Sequence, residues 1–164
     1  MLNIVHYPDP ILAEKMPNFD FAHPIMDPEE LEKVLIETMF KNNGIGLSAN
    51  QVGIRTRVFV MGTKHGPELT RAYFNPQVLN NEEDYADLPE GCLSFPNIFV
   101  KVKRPLKITC SWQNTKGEFQ IGDFQGYGCK CFLHELDHLD GFVFKDKVSR
   151  LKWDLAIKKA KRKK

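Results

Sequence analysis

The sequence predicts an α+β fold, and the order of its elements carries that prediction. One helical segment comes first, a series of short runs rich in β-branched and aromatic residues follows, and two further helical segments close the pattern. A turn sequence joins the last two of those runs, which makes at least that pairing antiparallel. Length fits a single domain over residues 1–164, because 42% hydrophobic residues, including 12 Phe, furnish one substantial core.

The first helix opens at Asp27-Pro28-Glu29-Glu30, with a carboxylate at the N-cap, proline at the first helical position and acids in the first turn. Leu31, Val34, Leu35, Thr38 and Met39 form one apolar stripe, and Asn42-Asn43-Gly44 stops the helix. Arg57-Val58-Phe59-Val60-Met61, Ala72-Tyr73-Phe74-Asn75, Ile98-Phe99-Val100-Lys101-Val102, the run from Leu106 to Trp112 and Glu118-Phe119-Gln120-Ile121 read as strands. Asn114-Thr115-Lys116-Gly117 is the hairpin turn between the last two. A second helix fits Tyr127 to Asp140, closed by Gly141. A third runs from about Lys147 into the basic end of the chain, with Val148, Leu151 and Leu155 on one face.

Composition narrows the class of function. No apolar stretch approaches the roughly 20 residues of a membrane span, and the N-terminus shows no basic segment leading into an apolar run, so the expected location is cytoplasmic with no membrane association. The formal charge of +2 is unevenly spread, since Lys158 to Lys164 hold six cations while the rest carries 17 basic against 21 acidic groups. A mildly acidic body argues against specific DNA binding, and the tail 158–164 leaves room for an anionic partner such as ribosomal RNA. The four cysteines, Cys92, Cys110, Cys129 and Cys131, point to metal binding or buried thiols rather than disulfides in a chain with no secretory signal.

His134-Glu135-Leu136-Asp137-His138 is an HExxH sequence inside the second predicted helix. A spacing of four stacks the two imidazoles on one face, where both converge on a single cation. Glu135 lies about 100° round the helix, out of the ligand position yet within reach of a water on the ion. The third ligand has two sources. Cys129 and Cys131 with the two histidines form a C-x-C-x2-H-x3-H cluster and a closed structural zinc site. Against it, both cysteines share the histidines' helix, Cys129 falls on another face, and a chain this long needs no metal staple. Cys92, in Glu90-Gly91-Cys92-Leu93-Ser94, is the other source. One thiolate and two imidazoles leave the fourth tetrahedral position open to water, the arrangement of a hydrolytic centre, with Glu135 to take the proton.

Gly44-Ile45-Gly46-Leu47-Ser48-Ala49-Asn50-Gln51 follows the first helix directly. Its glycines and small residues allow backbone to approach a substrate at Gly44, Ile45 and Gly46, and Gln51 brings an amide able to donate to a developing oxyanion. A phosphate-binding role fails, because neither a helix start nor a P-loop lysine follows.

The three segments GIGLSANQ, EGCLS and HELDH, in this order and with Cys92 lying 42 positions before His134, resemble peptide deformylase of the compact bacterial type. The resemblance implies an α+β fold in which antiparallel β-sheets wrap around a central HExxH helix, flanked by an N-terminal and a C-terminal helix. It implies removal of the N-formyl group from the N-terminal methionine of newly made polypeptides, with release of formate. Carried over, Cys92, His134 and His138 bind one divalent ion, Fe2+ in the cell with Zn2+, Ni2+ or Co2+ as replacements. Glu135 is general base and then acid, and Gln51 with the backbone N–H of Leu93 holds the oxyanion. Glu90 and Asp137 orient ligands or the loop, with Arg104 as a partner for Glu90.

Three departures stand out. Ser48 takes the place of a more usual alanine. Phe95-Pro96-Asn97-Ile98-Phe99 lacks an arginine that in many bacterial relatives helps hold the substrate backbone. Lys130 sits one turn before His134, where an apolar pocket residue is expected; its stem is expected to snorkel with the ammonium in solvent, or to tune substrate choice. Two rival functions share parts of the pattern. A zinc endopeptidase also uses HExxH but completes its site with His or Glu. A non-catalytic zinc-stabilised module would use Cys129 and Cys131 and dock through the basic tail.

Overall fold

The Asp27 carboxylate accepts a hydrogen bond from the Glu30 amide at 3.0 Å and caps α1 (Pro28–Lys41). The computed structural model describes residues 2–163, and of 67 and 68 the backbone alone. Glu29 and Glu30 meet the positive end of the α1 dipole, and proline at its first turn costs no hydrogen bond. The helix stops at Asn42, and Asn43 rather than Gly44 takes the left-handed conformation, with φ of 58°. Leu31, Leu35, Thr38 and Met39 of the predicted stripe are buried, and Val34 partly so.

Seven strands follow: β1 (Gly46–Ser48), β2 (Val58–Thr63), β3 (Gly66–Asn81), β4 (Tyr85–Cys92), β5 (Phe95–Pro105), β6 (Lys107–Gln113) and β7 (Phe119–Gln125). Five form a sheet in the order β1-β2-β3-β6-β7, and β4 pairs with β5 in a separate hairpin inserted between β3 and β6. Every pairing is antiparallel. The predicted runs correspond to β2, β3, β5, β6 and β7, three of them starting one residue before the strand, while the sequence pattern does not mark β1 or β4. β4 contains proline and glycine, a composition poor in strand formers, and its pairing with β5 decides its conformation.

Side-chain alternation builds the layers. Val58 and Val60 of β2, with Ala72 and Phe74 of β3, pack under Leu31, Leu35 and Met39 of α1. Phe59 and Tyr73 point to the other face and meet Phe132 of α2 (Gly126–Leu139) at ring separations of 5.0 and 5.6 Å. α2 packs against β1, β2, β6 and β7 on one side and against β5 of the hairpin on another. Enclosure on several sides explains why Lys130, His134, Glu135 and His138 are buried along with Cys129, Phe132 and Leu139. Burying each large apolar side chain here contributes about 1.5–3 kcal/mol. Gly141, at φ of 81°, closes the helix as the sequence predicts.

α3 departs from expectation. Residues Phe144–Lys147 form a 3-10 turn, and α3 (Arg150–Arg162) starts only after Ser149, whose hydroxyl accepts from the Lys152 amide. The shifted start rotates the buried face, so that Trp153 and Ala156 are buried while Leu151 and Leu155 are 71% and 56% exposed. Trp153 wins because its ring packs edge-on against Phe95 and Phe144, at 5.6 and 5.3 Å. Of the predicted face only Val148, just before the helix, packs against the core. Most of the basic tail lies on the last turn of α3, and Lys164 lies outside the described residues. Among the described residues no helix is long and apolar enough to cross a membrane.

Candidate metal centre

α2 presents His134 and His138 one turn apart, with ring centroids separated by 5.0 Å. The β4–β5 hairpin brings Cys92. Between Gly91, opposite Phe99, and Cys92, opposite Phe95, the register shifts, and the extra residues of β5 include Asn97 at φ of 63°. Such a bulge re-aims the side chain beside it, and here Cys92 Sγ comes to 3.3 Å from His138 Nε2. One donor atom from each of Cys92, His134 and His138 lies within 4.8 Å of the other two, a spacing that one ion at about 2.0–2.3 Å from each ligand spans. Among the described residues no other such cluster occurs.

The second ring nitrogen of His134 is held by a chain of charges. Nδ1 lies 2.8 Å from Glu90 Oε1, and an ionised carboxylate only accepts, so Nδ1 carries a proton and Nε2 is the nitrogen free to take a second proton or a metal ion. Arg104 donates to both Glu90 oxygens, at 2.8 and 3.0 Å, and to Asp137 at 2.6 Å. Burial alone would raise the Glu90 pKa, but hydrogen bonds from His134 and Arg104 overcome it and push the carboxyl down to about 2. Phe144 packs edge-on at 5.8 Å from the His134 ring.

Electrostatics fit a cation. Burial opposes charge on His134, yet Cys92, Glu90 and Glu135 outweigh it and raise its pKa well above the ordinary range. Surroundings that favour a proton there favour a divalent ion as well. His138 is driven the other way, by burial and then by the charges of His134 and Arg104, so its ring stays neutral. Its Nδ1 has no hydrogen-bond partner among the described residues.

Glu135 is buried beside the two histidines, and desolvation pushes its carboxyl up to about 7 against the pull of the His134 charge. Gly46 explains how β1 comes so near: a Cβ there would lie 2.6 Å from Glu135 Oε1 and 2.8 Å from Cys131 Sγ. Gln51 is fully enclosed. Its Oε1 accepts from the Ser48 amide and hydroxyl, both at 3.0 Å, which turns Nε2 toward Ser94 Oγ at 3.1 Å and Cys92 Sγ at 3.4 Å. Leu93 sits in the tight turn directly after Cys92. Gly44, Ile45 and Gly46 line the same cavity of about 1110 Å³ as Gln51, Cys92, Leu93, His134 and Glu135.

The structure does not bring Cys129 and Cys131 to the histidines' ligand face. Cys129 Sγ donates to the Pro105 carbonyl at 3.1 Å, Cys131 Sγ points at the Ile45 carbonyl at 3.6 Å, and burial pushes both thiols up. Lys130 also differs from expectation. Its ammonium is held 2.7 Å from the Pro89 carbonyl and 4.7 Å from the centre of the Tyr127 ring, and the residue as a whole is only 8% exposed. Sequence reasoning missed Asn50, whose Nδ2 donates to the His138 carbonyl at 2.8 Å and ties the glycine-rich loop to α2. An asparagine in a loop gives no sign of a partner so far along the chain.

Comparison with known proteins agrees with this geometry. The model of the family described as Polypeptide deformylase matches residues 1–153. The peptide deformylase of Thermotoga maritima is 39% identical over 165 aligned residues, covering 97% of this chain and 94% of the relative. That of Caulobacter vibrioides is 42% identical over 130, covering 78% and 75%. Among solved structures, the Thermotoga maritima enzyme aligns at a TM-score of 0.84 and 36% identity over 91% of this chain and 98% of its own. The Synechococcus elongatus enzyme in complex with actinonin aligns at 0.86 and 29%, over 98% and 86%. A match of this extent, on a fold with antiparallel sheets around an HExxH helix, means that the chain belongs to the peptide deformylase family of metal-dependent hydrolases, which remove the N-formyl group from newly made polypeptides.

Proposed function

We propose that Cys92, His134 and His138 hold one divalent metal ion and that Glu135, Gln51 and the Leu93 N–H act with it on the formyl group of nascent N-formyl-methionyl peptides. The observation that carries this reading is the meeting of three donor atoms within 4.8 Å at a cavity that also holds Glu135 and Gln51. A thiolate with two imidazoles accepts Fe2+, which we assign to the cell, and equally Zn2+, Ni2+ or Co2+. When bound, the ion polarises the formyl carbonyl and lowers the pKa of a water beside it.

The chain's own groups supply the rest. Glu135 takes a proton from the attacking water as its oxygen bonds to the formyl carbon. The oxyanion is met by Gln51 Nε2, whose orientation Ser48 fixes through Oε1, and by the Leu93 N–H. The carbon–nitrogen bond then breaks, and Glu135 returns its proton to the departing amine, leaving formate and a free N-terminus. Glu90 and Asp137, joined through Arg104, hold His134 in the right tautomer and the hairpin against α2. Gly44, Ile45 and Gly46 lie along the substrate's backbone. We further assign the tail through Lys163 to a salt-sensitive contact with ribosomal RNA, from which the substrate emerges.

The test is an anaerobic assay of formate release from a formyl-Met peptide, with metal analysis of the same sample. Formate in proportion to bound metal is expected, and an unformylated peptide cut internally instead would favour a zinc endopeptidase. In the cobalt-substituted protein, Cys92→Ser should lose the thiolate-to-cobalt band and Cys131→Ser should keep it. The reverse would return the ligand set to the closed zinc module.

A further inference from the structure

The cavity does not end at the histidines. One turn back along the same face of α2 it is lined by Lys130, with Cys131 and Ile45 beside it and Gly91 and Phe99 of the hairpin nearby. With the formyl carbon at the three donors and its nitrogen by Glu135, the side chain of the substrate's first residue has this stretch of cavity to enter. Most of these neighbours are apolar or have satisfied polar groups, since the Cys131 thiol is already directed at the Ile45 carbonyl. Lys130 is the exception.

Even partial burial of an ammonium is costly, and this one does little for the fold in return. Among the described residues no carboxylate lies within 4.0 Å of its Nζ, and of its three N–H donors one is taken by the Pro89 carbonyl. The Tyr127 ring covers another side without accepting a strong hydrogen bond. A methionine at the same place would fill the stem's volume without the desolvation cost. A donor kept in the wall of a substrate cavity calls for an acceptor on the substrate.

We infer that Lys130 is a specificity-determining residue of this subsite and lets the enzyme act on formyl-peptides whose first residue is methionine sulfoxide as well as methionine. The inference rests on the reaction proposed above. The sulfoxide matches methionine in length and adds one oxygen, a strong acceptor. In an all-apolar pocket that oxygen would lose its water and gain no partner, whereas here the ammonium replaces the lost hydrogen bond.

The experiment compares kcat/KM for formate release from three peptides identical except for the first residue: formyl-Met, formyl-Met sulfoxide and formyl-norleucine. Metal-loaded wild type, Lys130→Met and Lys130→Arg are assayed. In the wild type the sulfoxide should react within roughly tenfold of methionine. Lys130→Met should lower the sulfoxide-to-methionine ratio by roughly 10- to 100-fold, the scale of a hydrogen bond to a charged group. It should leave the norleucine-to-methionine ratio within about threefold, because norleucine carries no acceptor. Lys130→Arg, which keeps a donor, should retain most of the wild-type ratio. An unchanged sulfoxide ratio in Lys130→Met overturns the inference. So does a wild-type penalty of roughly 100-fold or more against the sulfoxide, a result that requires no variant to fold. Formate from formyl-Met with the same sulfoxide-to-methionine ratio in every variant thus fails this inference alone, while formate from none of the peptides fails the proposed reaction and this inference with it.

Discussion

Removing Arg104 should destabilise the fold and loosen the metal, by separable routes. In Arg104→Met the guanidinium that donates to Glu90 at 2.8 and 3.0 Å disappears, leaving a carboxylate with 1% side-chain exposure facing His134 alone. The fall of the Glu90 pKa from 4.5 to about 2 corresponds to about 3 kcal/mol favouring the charged form, shared between Arg104 and His134. Loss of one partner from a buried pair typically costs about 3–5 kcal/mol, so the two approaches agree in scale. Asp137 suffers less, because it is partly exposed and keeps Lys147 at 3.6 Å. A domain with about 5–15 kcal/mol of stability should therefore remain folded, with a clearly lower urea midpoint at an unchanged slope.

The same network predicts how the effect varies with pH and with a second change. Glu90 has a depressed folded-state pKa, so its contribution is present above about pH 4.5 and lost as pH falls toward 2. Wild type and Arg104→Met should converge in stability across that interval. Glu90→Leu combined with Arg104→Met removes both charges and should recover most of the lost stability. It should not recover metal affinity, because His134 Nδ1 has lost its acceptor, a change that typically costs roughly 10- to 100-fold. Urea unfolding of chelated protein and competition titration with a metal indicator measure the two quantities. Stability of Arg104→Met within about 1 kcal/mol of wild type would refute the energetic argument, and full metal affinity in the double variant would refute the orienting one.

Glu135→Ala should keep a full complement of metal yet release almost no formate, since the carboxylate moves protons without binding the ion; near-native rates would remove Glu135 from the mechanism. Gln51→Ala should raise the barrier by roughly 2–4 kcal/mol, read as a fall in kcat with little change in KM. Gly46→Ala should lose activity out of proportion to stability, because its methyl group would meet Glu135 Oε1 at 2.6 Å and must push β1 or α2 aside. Deleting the chain from Lys158 onward should leave turnover of a short formyl-peptide within about twofold while weakening co-sedimentation with ribosomes at low salt, since Trp153 and Ala156, which seat α3, precede the deletion.

Local signals made much of the fold readable before any coordinates. Asp27 and Pro28 announce α1, and the Asn114 to Gly117 turn announces the β6–β7 pair. What stayed hidden depends on contacts distant in sequence. β4 has weak strand character of its own, and β1 is only three residues long. The buried face of α3 departs from the apolar periodicity because its start shifts past a 3-10 turn, and because an apolar pattern of Leu151 and Leu155 competes with one large aromatic, Trp153, that finds a better seat. Periodicity ranks residues by hydrophobicity; the core ranks them by the shape it has left to fill.

The candidate site divides in the same way. An i, i+4 histidine pair is written in one helix, but Cys92 reaches it only through a bulge in a hairpin, and Lys130 is held by a carbonyl that a sequence does not display. This division has a thermodynamic side. Two donors belong to α2 and the third to β4, so an ion bound to all three joins the hairpin to the helix, as Glu90, Arg104 and Asp137 do a few residues away. Metal that binds the docked arrangement better than the undocked one must stabilise the docking by the same free energy. The charge network and a metal held by these three donors would thus act on one equilibrium, the hairpin closing on α2, and a change in either would be felt by the other even though Arg104 offers the ion no atom at all.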